Sequence, residues 1–372
     1  MAVAASGLLK FMHTDLQAFC VPSGSTLEEA IAQMDRCRLG IVLIVDGQRR
    51  LAGTLTDGDV RRAMLARVAL DTQVECVLER KASSKYARPI VASASASRAT
   101  CLQLLKEHSI LHLPVVDSDE RVVGLVTLDE FVEDRSLALD AVIMAGGRGS
   151  RLMPLTEHVP KPMLPLDERP LIEVIVQQLH DAGITRVNIS THHKAEAISS
   201  HLGDGQRFGV HLNYVAEDRP LGTAGALGLM DAPQETLLVI NGDILTEVDF
   251  RAMVAYHREH GADLTVAVRQ YDIPVPFGVV DCEGVAVKRL TEKPQMNVFV
   301  NAGIYLLEPA GHCYIPPGER FDMTDLIQRL LDANRPVAAF PIREYWIDIG
   351  QREDYQRAIE HSRTSGRERR HS

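Results

Sequence analysis

The sequence lacks the features that mark membrane-spanning, disulfide-stapled and nucleic-acid-binding proteins. No apolar run approaches the ~20 residues needed to cross a bilayer. The six cysteines are scattered without a CxxC pair, which indicates reduced thiols rather than a disulfide framework or a zinc site. No basic tract is present and the formal net charge is −10, so no nucleic-acid partner is expected. The N-terminus has no basic region before a sustained apolar stretch, so we predict no signal peptide and a cytoplasmic location.

What the chain does contain is the composition of an ordinary globular protein. It has 372 residues, of which 45% are hydrophobic and 24% charged, and this length predicts two or three domains with substantial cores. The acidity of the chain has one consequence for function. Any site for an anionic phosphate must be locally basic, which gives weight to cations that follow glycine-rich turns.

The first third of the chain contains an internal repeat. Each copy is predicted to form a capped amphipathic helix, a buried strand, a turn and a second strand that ends in threonine. Three matched positions share an offset of 71 residues: Gly53 and Gly124, Thr56 and Thr127, Asp59 and Glu130. An equal offset at three positions indicates duplication. One copy is too small to bury both faces of its sheet, so we expect the two copies to pack together.

The repeat resembles a tandem pair of CBS domains. In that family a G-x-x-T-x-x-D segment holds the ribose of an adenine nucleotide, and GTLTDGD in the first copy matches it. The resemblance implies that Thr56 and Asp59 contact the ribose and Arg61 meets a phosphate of an adenine or guanine nucleotide. Thr127 and Glu130 are the equivalent residues of the second copy, where the glutamate departs from the pattern. The alternative is that both threonines only cap the helices that follow, in a structural dimerisation module.

The middle of the chain carries the strongest chemical signal, AVIMAGGRGSRLMPLTEHVPKPMLPL at 141–166. Its first residues are typical of a buried strand that leads into a glycine-rich turn. The glycines let a ligand approach the backbone closely. Arg151 and Lys161 follow, so amides and positive charge come together where a parallel sheet binds phosphates. The glycine spacing matches neither the dinucleotide fingerprint nor the P-loop.

This stretch resembles the signature of sugar-phosphate nucleotidyltransferases, GGxGxRLxPLT followed by PKPMxP. The family has a Rossmann-like, mainly parallel α/β sheet, and the alternation of strands and helices after 141 predicts the same fold class. A second loop, PLGTAGAL, lies along the nucleobase in the family. The resemblance implies that the nucleotide is bound by Ala145, Gly146, Gly147, Gly149, Leu221, Gly222, Thr223 and Asp243. It implies that the catalytic cations are Arg151, Lys161 and Lys293.

Two aspartates far apart in the sequence are predicted to hold Mg²⁺. A buried strand runs into Asn241-Gly242-Asp243, and the family uses this aspartate for the metal. Its partner in the family belongs to a W-x-D-x-G segment, which WIDIG matches with Asp348. Two carboxylates suit Mg²⁺, which prefers a few protein oxygens together with water and phosphate. The alternative for Asp348 is a turn carboxylate that precedes a helix.

Three further stretches, PFGVV, EKP and VNAGIY, carry the resemblance on toward residue 359. In the family they hold the sugar phosphate. The resemblance implies that Gly278 contributes its amide, Glu292 contacts sugar hydroxyls, Lys293 lies at the phosphate and Asn301 lies nearby.

These resemblances imply a nucleotidyltransferase that joins a nucleoside triphosphate to a hexose or hexosamine 1-phosphate and releases pyrophosphate. The sugar phosphate is already an anion, so the reaction needs no general base, and the sequence shows no Ser/His/Asp or Cys/His constellation. The wording PLGTAGAL favours GTP, as in surface-glycan precursor pathways. UTP, CTP or dTTP stay open, as does a non-catalytic protein that senses nucleotides or NDP-sugars.

The predicted domain order is a tandem CBS module at 1–136, a catalytic α/β domain at 137–361 and a basic disordered tail at 362–372. The two CBS copies are expected at about 15–70 and 80–134. CBS pairs often associate in twos, so we expect a homo-oligomer. No membrane partner is expected.

Overall fold

The computed structural model describes residues 11–82, 86–131, 136–137, 139–147 and 149–369, with side chains up to residue 364. The chain divides into two units, residues 1–135 and 136–372. The finer domain limits given above stay predictions. Within the described ranges, no helix combines the length and the apolar character that crossing a bilayer requires.

The first unit consists of two small sheets with helices around them. Its strands are β1 (Cys20–Pro22), β2 (Ile41–Val45), β3 (Leu51–Thr56), β4 (Ala92–Ser93), β5 (His112–Val116) and β6 (Val122–Thr127). Its helices are α1 (Leu16–Phe19), α2 (Leu27–Cys37), α3 (Asp57–Leu65), α4 (Val74–Lys81) and α5 (Arg98–Glu107), with a 3₁₀ turn at Leu128–Glu130. The sheet orders are β1–β2–β3 and β4–β5–β6, and each combines one parallel and one antiparallel pair.

Strand register repeats between the two halves of this unit, as the duplication predicts. Ile44 pairs with Gly53 in the first sheet, and Val115 pairs with Gly124 in the second, 71 residues later. Each hairpin has a register shift directly after that pair, so even the irregularity is duplicated.

Hydroxyl side chains cap three helices of the first unit, α2, α3 and α5. Thr26 forms a capping box with Glu29 at the start of α2, and Ser97 caps α5. Thr56 and Asp59 form a capping box at α3. The structure therefore gives Thr56 the helix-capping role that the sequence left as its alternative.

The second unit contains most of the strands. They are β7 (Asp140–Met144), β8 (Pro165–Leu166), β9 (Arg169–Pro170), β10 (Arg186–Thr191), β11 (His211–Ala216), β12 (Leu237–Asn241), β13 (Ile244–Thr246), β14 (Leu264–Pro274), β15 (Val279–Glu283), β16 (Ala286–Thr291), β17 (Gln295–Leu307), β18 (Val337–Ile342) and β19 (Trp346–Asp348). Its helices are α6 (Leu171–Asp181), α7 (Ala195–Leu202), α8 (Gly222–Gly225), α9 (Phe250–His260), α10 (Pro309–His312), α11 (Met323–Asp332) and α12 (Arg352–Arg369). Short 3₁₀ turns lie at Ser150–Leu152, Lys161–Met163, Gln206–Phe208 and Ala226–Leu229.

Seven of these strands form the central sheet, in the order β11–β10–β7–β12–β17–β14–β18. Its pairs are parallel except those on either side of β17, which runs against its neighbours. The sheet is thus mainly parallel, as the sequence predicts. Parallel strands deliver the residues after their carboxyl ends to one edge, so the segments after β7, β10, β11 and β12 meet there.

Alternating side chains of the central strands enter two separate cores. Ile143 and Ile240 pack on one face of the sheet, with apolar residues of α6, α7 and α9. Val142 and Val239 pack on the other face, with apolar residues of α11. Burial on both faces explains why these strands are continuous apolar runs in the sequence.

The last helix corrects the expectation of a disordered tail from residue 362. Helix α12 extends to Arg369, and residues 370–372 lie outside the described part of the chain. The His361 ring stacks on Tyr345 with 3.4 Å between centroids, and Arg363 lies 3.5 Å from Asp167. Adding residues to a formed helix costs less than starting one, so these contacts favour continuation beyond the predicted end.

A buried histidine makes the second unit sensitive to pH. His257 is 2% exposed, and its ring nitrogens contact the Thr265 hydroxyl at 2.7 Å and Glu308 at 2.9 Å. Burial lowers the pKa of His257, an effect larger than the opposing influence of Glu308. The folded protein therefore keeps the ring neutral, whereas the unfolded chain takes up a proton below about pH 6.5. Stability consequently falls as the pH is lowered through that value.

We expect the free energy of unfolding of this unit to decrease between about pH 7.5 and pH 5.5, and the decrease to be smaller in His257→Gln. Trp346, the only tryptophan, lies in this unit and can report unfolding by fluorescence. His158→Gln, at an exposed position, is the control. An unchanged pH dependence in His257→Gln would contradict the assignment.

Candidate active site

The glycine-rich turn leaves the end of β7 at the carboxyl edge of the sheet. The Ala145 amide donates to the Ser190 carbonyl at 2.9 Å, which ties the turn to β10. Gly149 has φ +63°, and a Cβ there would lie 3.0 Å from side-chain atoms of Lys161 and Thr156. The Thr156 hydroxyl donates to the Gly149 carbonyl at 2.8 Å. Glycine is therefore required at 149, because the turn packs directly on the lysine that the motif supplies.

Asp243 and Asp348, the two predicted metal ligands, are held side by side. Ile244 pairs with Asp348 across β13 and β19, and the Ile349 amide donates to the Asp243 carbonyl at 3.0 Å. Gly242 packs under the turn, because its amide donates to the Met144 carbonyl at 2.9 Å. The structure thus brings both aspartates to the edge of the sheet where the glycine turn begins.

Two cations approach this pair of aspartates. Lys161 is 7% exposed, its Nζ donates to Oδ2 of Asp243, and it lies 3.8 Å from Oδ1 of Asp348. Arg151 is exposed. A Cβ on Gly350 would lie 3.8 Å from Nη1 of Arg151 and 3.7 and 3.8 Å from the two carboxylate oxygens of Asp348, so both side chains lie beside Gly350. Burial raises the pKa of Asp348, the charge of Asp243 adds to this, and Lys161 and Arg151 oppose it.

One structural observation indicates that Asp243 and Asp348 fit a divalent cation. Oδ1 of Asp348 is buried and accepts no hydrogen bond from the described residues. A buried carboxylate oxygen without a partner is costly, and a bound cation would satisfy it. Among the described residues, no group of three or more His, Cys, Asp or Glu side chains could hold a metal ion.

The second predicted loop is fixed by two acidic residues that the sequence analysis missed. The first is Glu217, directly after β11, which is 8% exposed. It accepts from the Ser190 hydroxyl at 2.5 Å and from the Leu221 amide at 2.9 Å. A Cβ on Gly146 would lie 2.7 Å from Oε1 of Glu217, so this carboxylate lies between the two glycine-containing loops.

The second acidic residue, Asp322, holds the first turn of the same loop. Its Oδ1 accepts from the Thr223 amide at 3.0 Å, and the Thr223 hydroxyl accepts from the Met323 amide at 2.8 Å. A Cβ on Gly222 (φ +83°) would lie 2.4 Å from the Asp322 carboxylate. Leu221 itself is 3% exposed, so its side chain serves the core. No local motif marks Asp322, because it is 99 residues from Thr223.

The predicted sugar-phosphate residues lie on or beside an exposed arm, residues 269–300, formed by β15, β16 and the adjoining parts of β14 and β17. Gly278 and Glu292 come together, since a Cβ on Gly278 would lie 3.1 Å from Oε2 of Glu292. Lys293 is exposed and has φ +44°. Asn301 lies one strand from Asp243: its Oδ1 accepts from the Gly303 amide at 2.9 Å, and Gly303 packs on Asn241.

In the structure, Asp59 and Arg61, two of the predicted CBS ligand residues of the first copy, form hydrogen bonds and ion pairs within their own unit. Asp59 is 5% exposed and accepts from Lys81 at 2.7 Å, from Arg62 at 2.8 Å and from the Thr56 hydroxyl at 2.8 Å. Arg61 is completely buried and pairs with Asp57 at 2.5 Å. The Arg61 guanidinium thus lies inside the unit, and its predicted contact with a phosphate stays a prediction. Lys81, the main partner of Asp59, was not anticipated.

The acidic residue of the second copy, Glu130, is more exposed than Asp59. Thr127 forms a capping box with Glu130, and Glu130 lies 3.2 Å from His13. Burial raises the pKa of Glu130, although His13 opposes the shift. Glu130, where the sequence departs from the CBS pattern, thus contacts different partners from those of Asp59.

Comparison with known proteins decides the family. Residues 140–365, more than half of the chain, match the nucleotidyl transferase family profile. The chain belongs to the nucleotidyl transferase family. Residues 9–66 and 84–136 match the CBS domain. Both resemblances drawn from the sequence are confirmed.

The curated relatives of this nucleotidyl transferase are sugar-phosphate enzymes. It is 35% identical over 246 residues to a UTP–glucose-1-phosphate uridylyltransferase of Synechocystis, covering 59% of this chain and 62% of the relative. It is 33% identical over 227 residues to a mannose-1-phosphate guanylyltransferase of Mycobacterium tuberculosis, covering 59% and 63%. The chain thus spans a little over three-fifths of the length of these relatives.

A solved structure supports the fold of the nucleotidyl transferase unit. A Bacillus anthracis protein assigned as a glucose-1-phosphate thymidylyltransferase, crystallised with sucrose, aligns with a TM-score of 0.51 at 30% identity. The alignment covers 61% of this chain and 96% of that one. The likeness therefore leaves about two-fifths of this chain outside the alignment.

Proposed function

We propose that the second unit transfers a nucleotidyl group from a nucleoside triphosphate to a sugar 1-phosphate and releases pyrophosphate. The observation that carries the proposal is the convergence of Asp243, Asp348, Lys161 and Arg151 on the glycine turn. A triphosphate brings several negative charges to one place, and this edge of the sheet offers backbone amides and two cations. The relatives support the same class, since their names describe nucleotidyl transfer to sugar 1-phosphates.

Charge governs the proposed mechanism. An oxygen of the sugar phosphate attacks the α-phosphorus in line, the new P–O bond forms, and the bond to pyrophosphate breaks with its electron pair on the leaving oxygen. Arg151 and Lys161 offset repulsion between the two anions and stabilise charge on the α-phosphate oxygens. Lys293 is proposed to hold the sugar phosphate. Asp243 and Asp348 would hold Mg²⁺, which when bound supplies Lewis-acid stabilisation of that charge.

We propose GTP as the nucleotide, with Glu217 as one support. Guanine presents adjacent N–H donors on its N1 and N2. Each Glu217 oxygen already accepts one hydrogen bond and has a second lone pair with which to accept one of these donors. Relatives of the chain include both a guanylyltransferase and a uridylyltransferase, so the comparison leaves the base undecided. A hexose or hexosamine 1-phosphate is the proposed acceptor, with glycan precursor synthesis in the cytoplasm as the setting.

Glu217→Gln tests whether this carboxylate reads the base. We expect the ratio of kcat/KM for GTP to that for UTP to fall about tenfold, because the amide offers one acceptor instead of two. An equal loss for both nucleotides would contradict base reading and leave Glu217 only as the residue that positions the Leu221 loop.

The experiment for the reaction itself is pyrophosphate release with Mg²⁺, across GTP, UTP, CTP and dTTP and a panel of hexose and hexosamine 1-phosphates. Turnover with GTP and at least one acceptor is the expected result. Binding without turnover for every pair would favour the alternative, a protein that senses NDP-sugars without making them.

For the CBS repeat we propose nucleotide binding at the second copy. The Glu130 side chain is 22% exposed, whereas that of Asp59 is 4% exposed and engaged by Lys81. Calorimetry with AMP, ATP and GTP should show binding to the wild type that Glu130→Gln weakens. If none of the three nucleotides binds, the repeat is left with a structural role.

We also propose a homo-oligomer. The exposed arm carries eight large apolar side chains at least 43% exposed, and the cross-strand partners Tyr271 with Val298, Ile273 with Met296, and Val280 with Leu290 each share a face. A two-stranded ribbon with an uncovered apolar face is marginal alone. Light scattering should show more than one copy per particle and a smaller particle for Leu290→Lys. A monomeric wild type would contradict this proposal.

A further inference from the structure

The ammonium of Lys161 lies where a metal ion on the aspartate pair would lie. Its Nζ donates to Oδ2 of Asp243 and is 3.8 Å from Oδ1 of Asp348. The Lys161 side chain is 9% exposed, so the ammonium is held in the interior by these carboxylates. The backbone leaves the aspartates little freedom to separate, because the Ile349 amide is bonded to the Asp243 carbonyl at 3.0 Å.

This arrangement and a metal ion on the same two carboxylates exclude each other. Mg²⁺ lies about 2.0–2.1 Å from its oxygen ligands, so it would need the space beside Asp243 Oδ2 that the ammonium fills. Two cations a few ångströms apart in a partly buried site also repel strongly. Lys161 must therefore move before a metal ion can use both aspartates.

We propose that Lys161 is the counter-ion of Asp243 and Asp348 in the nucleotide-free protein and that it suppresses metal binding there. The proposal rests on the proposed function, since a triphosphate supplies the negative charge that draws Lys161 off the pair. The metal ion then enters together with the nucleotide rather than before it. Lys161 thus sets the order in which metal and nucleotide bind, in addition to its role toward phosphate.

The geometry of neighbouring residues agrees with a short movement. Lys161 begins a 3₁₀ turn at Lys161–Met163, and its Cβ is 3.0 Å from the Cβ position of Gly149. The side chain therefore starts directly under the glycine turn, where the triphosphate is proposed to lie. Rotating the side chain toward that turn leaves the backbone in place.

The test measures Mn²⁺ binding to the full-length, nucleotide-free protein. Electron paramagnetic resonance quantifies the Mn²⁺ that stays free. We expect Lys161→Met to bind Mn²⁺ at least tenfold more tightly than the wild type, because the carboxylates lose their internal counter-ion. Lys161→Arg, which keeps the charge, should stay weak. Adding Asp243→Asn to Lys161→Met should abolish the gain, which locates the ion on this pair.

Lys194→Met is the matched control. The Nζ of Lys194 donates to the carbonyls of Thr156 and Glu157. The variant therefore removes one lysine from the same unit without changing a contact of the aspartates. Its Mn²⁺ affinity should equal that of the wild type. Lys161→Gln repeats the measurement in case the methionine variant does not fold, as judged by Trp346 fluorescence.

The proposal would be overturned if the wild type and both neutral Lys161 variants bound Mn²⁺ with equal affinity. It would also be overturned if Lys161→Arg bound Mn²⁺ as tightly as Lys161→Met. The result is independent of turnover. If the wild type releases no pyrophosphate with any substrate pair but Lys161→Met gains Mn²⁺ affinity, the proposed function fails and the counter-ion role stands. If pyrophosphate is released and the affinity is unchanged, only the counter-ion role fails.

Discussion

Asp243→Asn should lower the rate of pyrophosphate release about 100-fold or more. Asparagine keeps the shape of the side chain and the backbone bond from the Ile349 amide, but it removes one of the two negative charges at the site. Lys161 then has only Asp348, 3.8 Å away, as its carboxylate partner at the site. The divalent ion that the proposed reaction requires also loses one of its two carboxylates, so both charge stabilisation and positioning suffer.

Asp249→Asn is the matched control for this variant. Asp249 caps α9 by accepting from the Arg251 and Ala252 amides, and asparagine is an equally good N-cap. The same chemical change in the same unit should therefore leave turnover near the wild-type value. Turnover of Asp243→Asn within threefold of the wild type would remove Asp243 from the proposed site.

Asp59→Ala should destabilise the first unit by about 3–5 kcal/mol. Asp59 is 5% exposed and accepts from Lys81, Arg62 and Thr56, so alanine leaves the interior ammonium of Lys81 without its counter-ion and removes a helix cap. Burial alone would raise the pKa of Asp59, but Lys81 and the hydrogen bonds outweigh burial and lower it. The stabilisation is thus present above the unfolded pKa of about 3.9 and is lost as the pH falls further, through the folded value.

The duplication provides the control, because Glu130 is the equivalent residue 71 positions later. Glu130 contacts His13 at 3.2 Å and is more exposed, so Glu130→Ala should cost about 1 kcal/mol or less. Hydrogen exchange of peptides spanning β3 and α3 measures the first effect, and peptides spanning β6 measure the second. Equal protection in Asp59→Ala and the wild type would show that the Lys81 contact contributes nothing to stability.

The sequence predicted the elements whose determinants are local. Short-range patterns predict the buried strand before Gly146, the capped helices of the repeat and the 71-residue offset. The structure confirms the strand and the caps, and the register of β2–β3 and β5–β6 confirms the offset. The nucleotidyl transferase and CBS families were also evident, because their motifs preserve residue spacing.

The residues that sequence analysis missed act across long separations. Asp322 holds Thr223 from 99 residues away, and Lys81 reaches Asp59 across 22. No spacing rule links such partners, since tertiary packing alone brings them together. The burial of Arg61 was missed for a different reason. A charged residue is expected at the surface, but pairing with Asp57 at i−4 allows Arg61 to lie inside.

The most direct test of the proposed chemistry follows the oxygen atoms. The wild type is supplied with Mg²⁺, GTP and a sugar 1-phosphate carrying ¹⁸O on its non-bridging phosphate oxygens, and both products are analysed by mass spectrometry. If the sugar phosphate attacks the α-phosphorus at the Asp243–Asp348 site, the whole label stays in the NDP-sugar, none enters pyrophosphate, and Asp243→Asn makes almost no product. Label in pyrophosphate, or equal product from Asp243→Asn, would contradict the account.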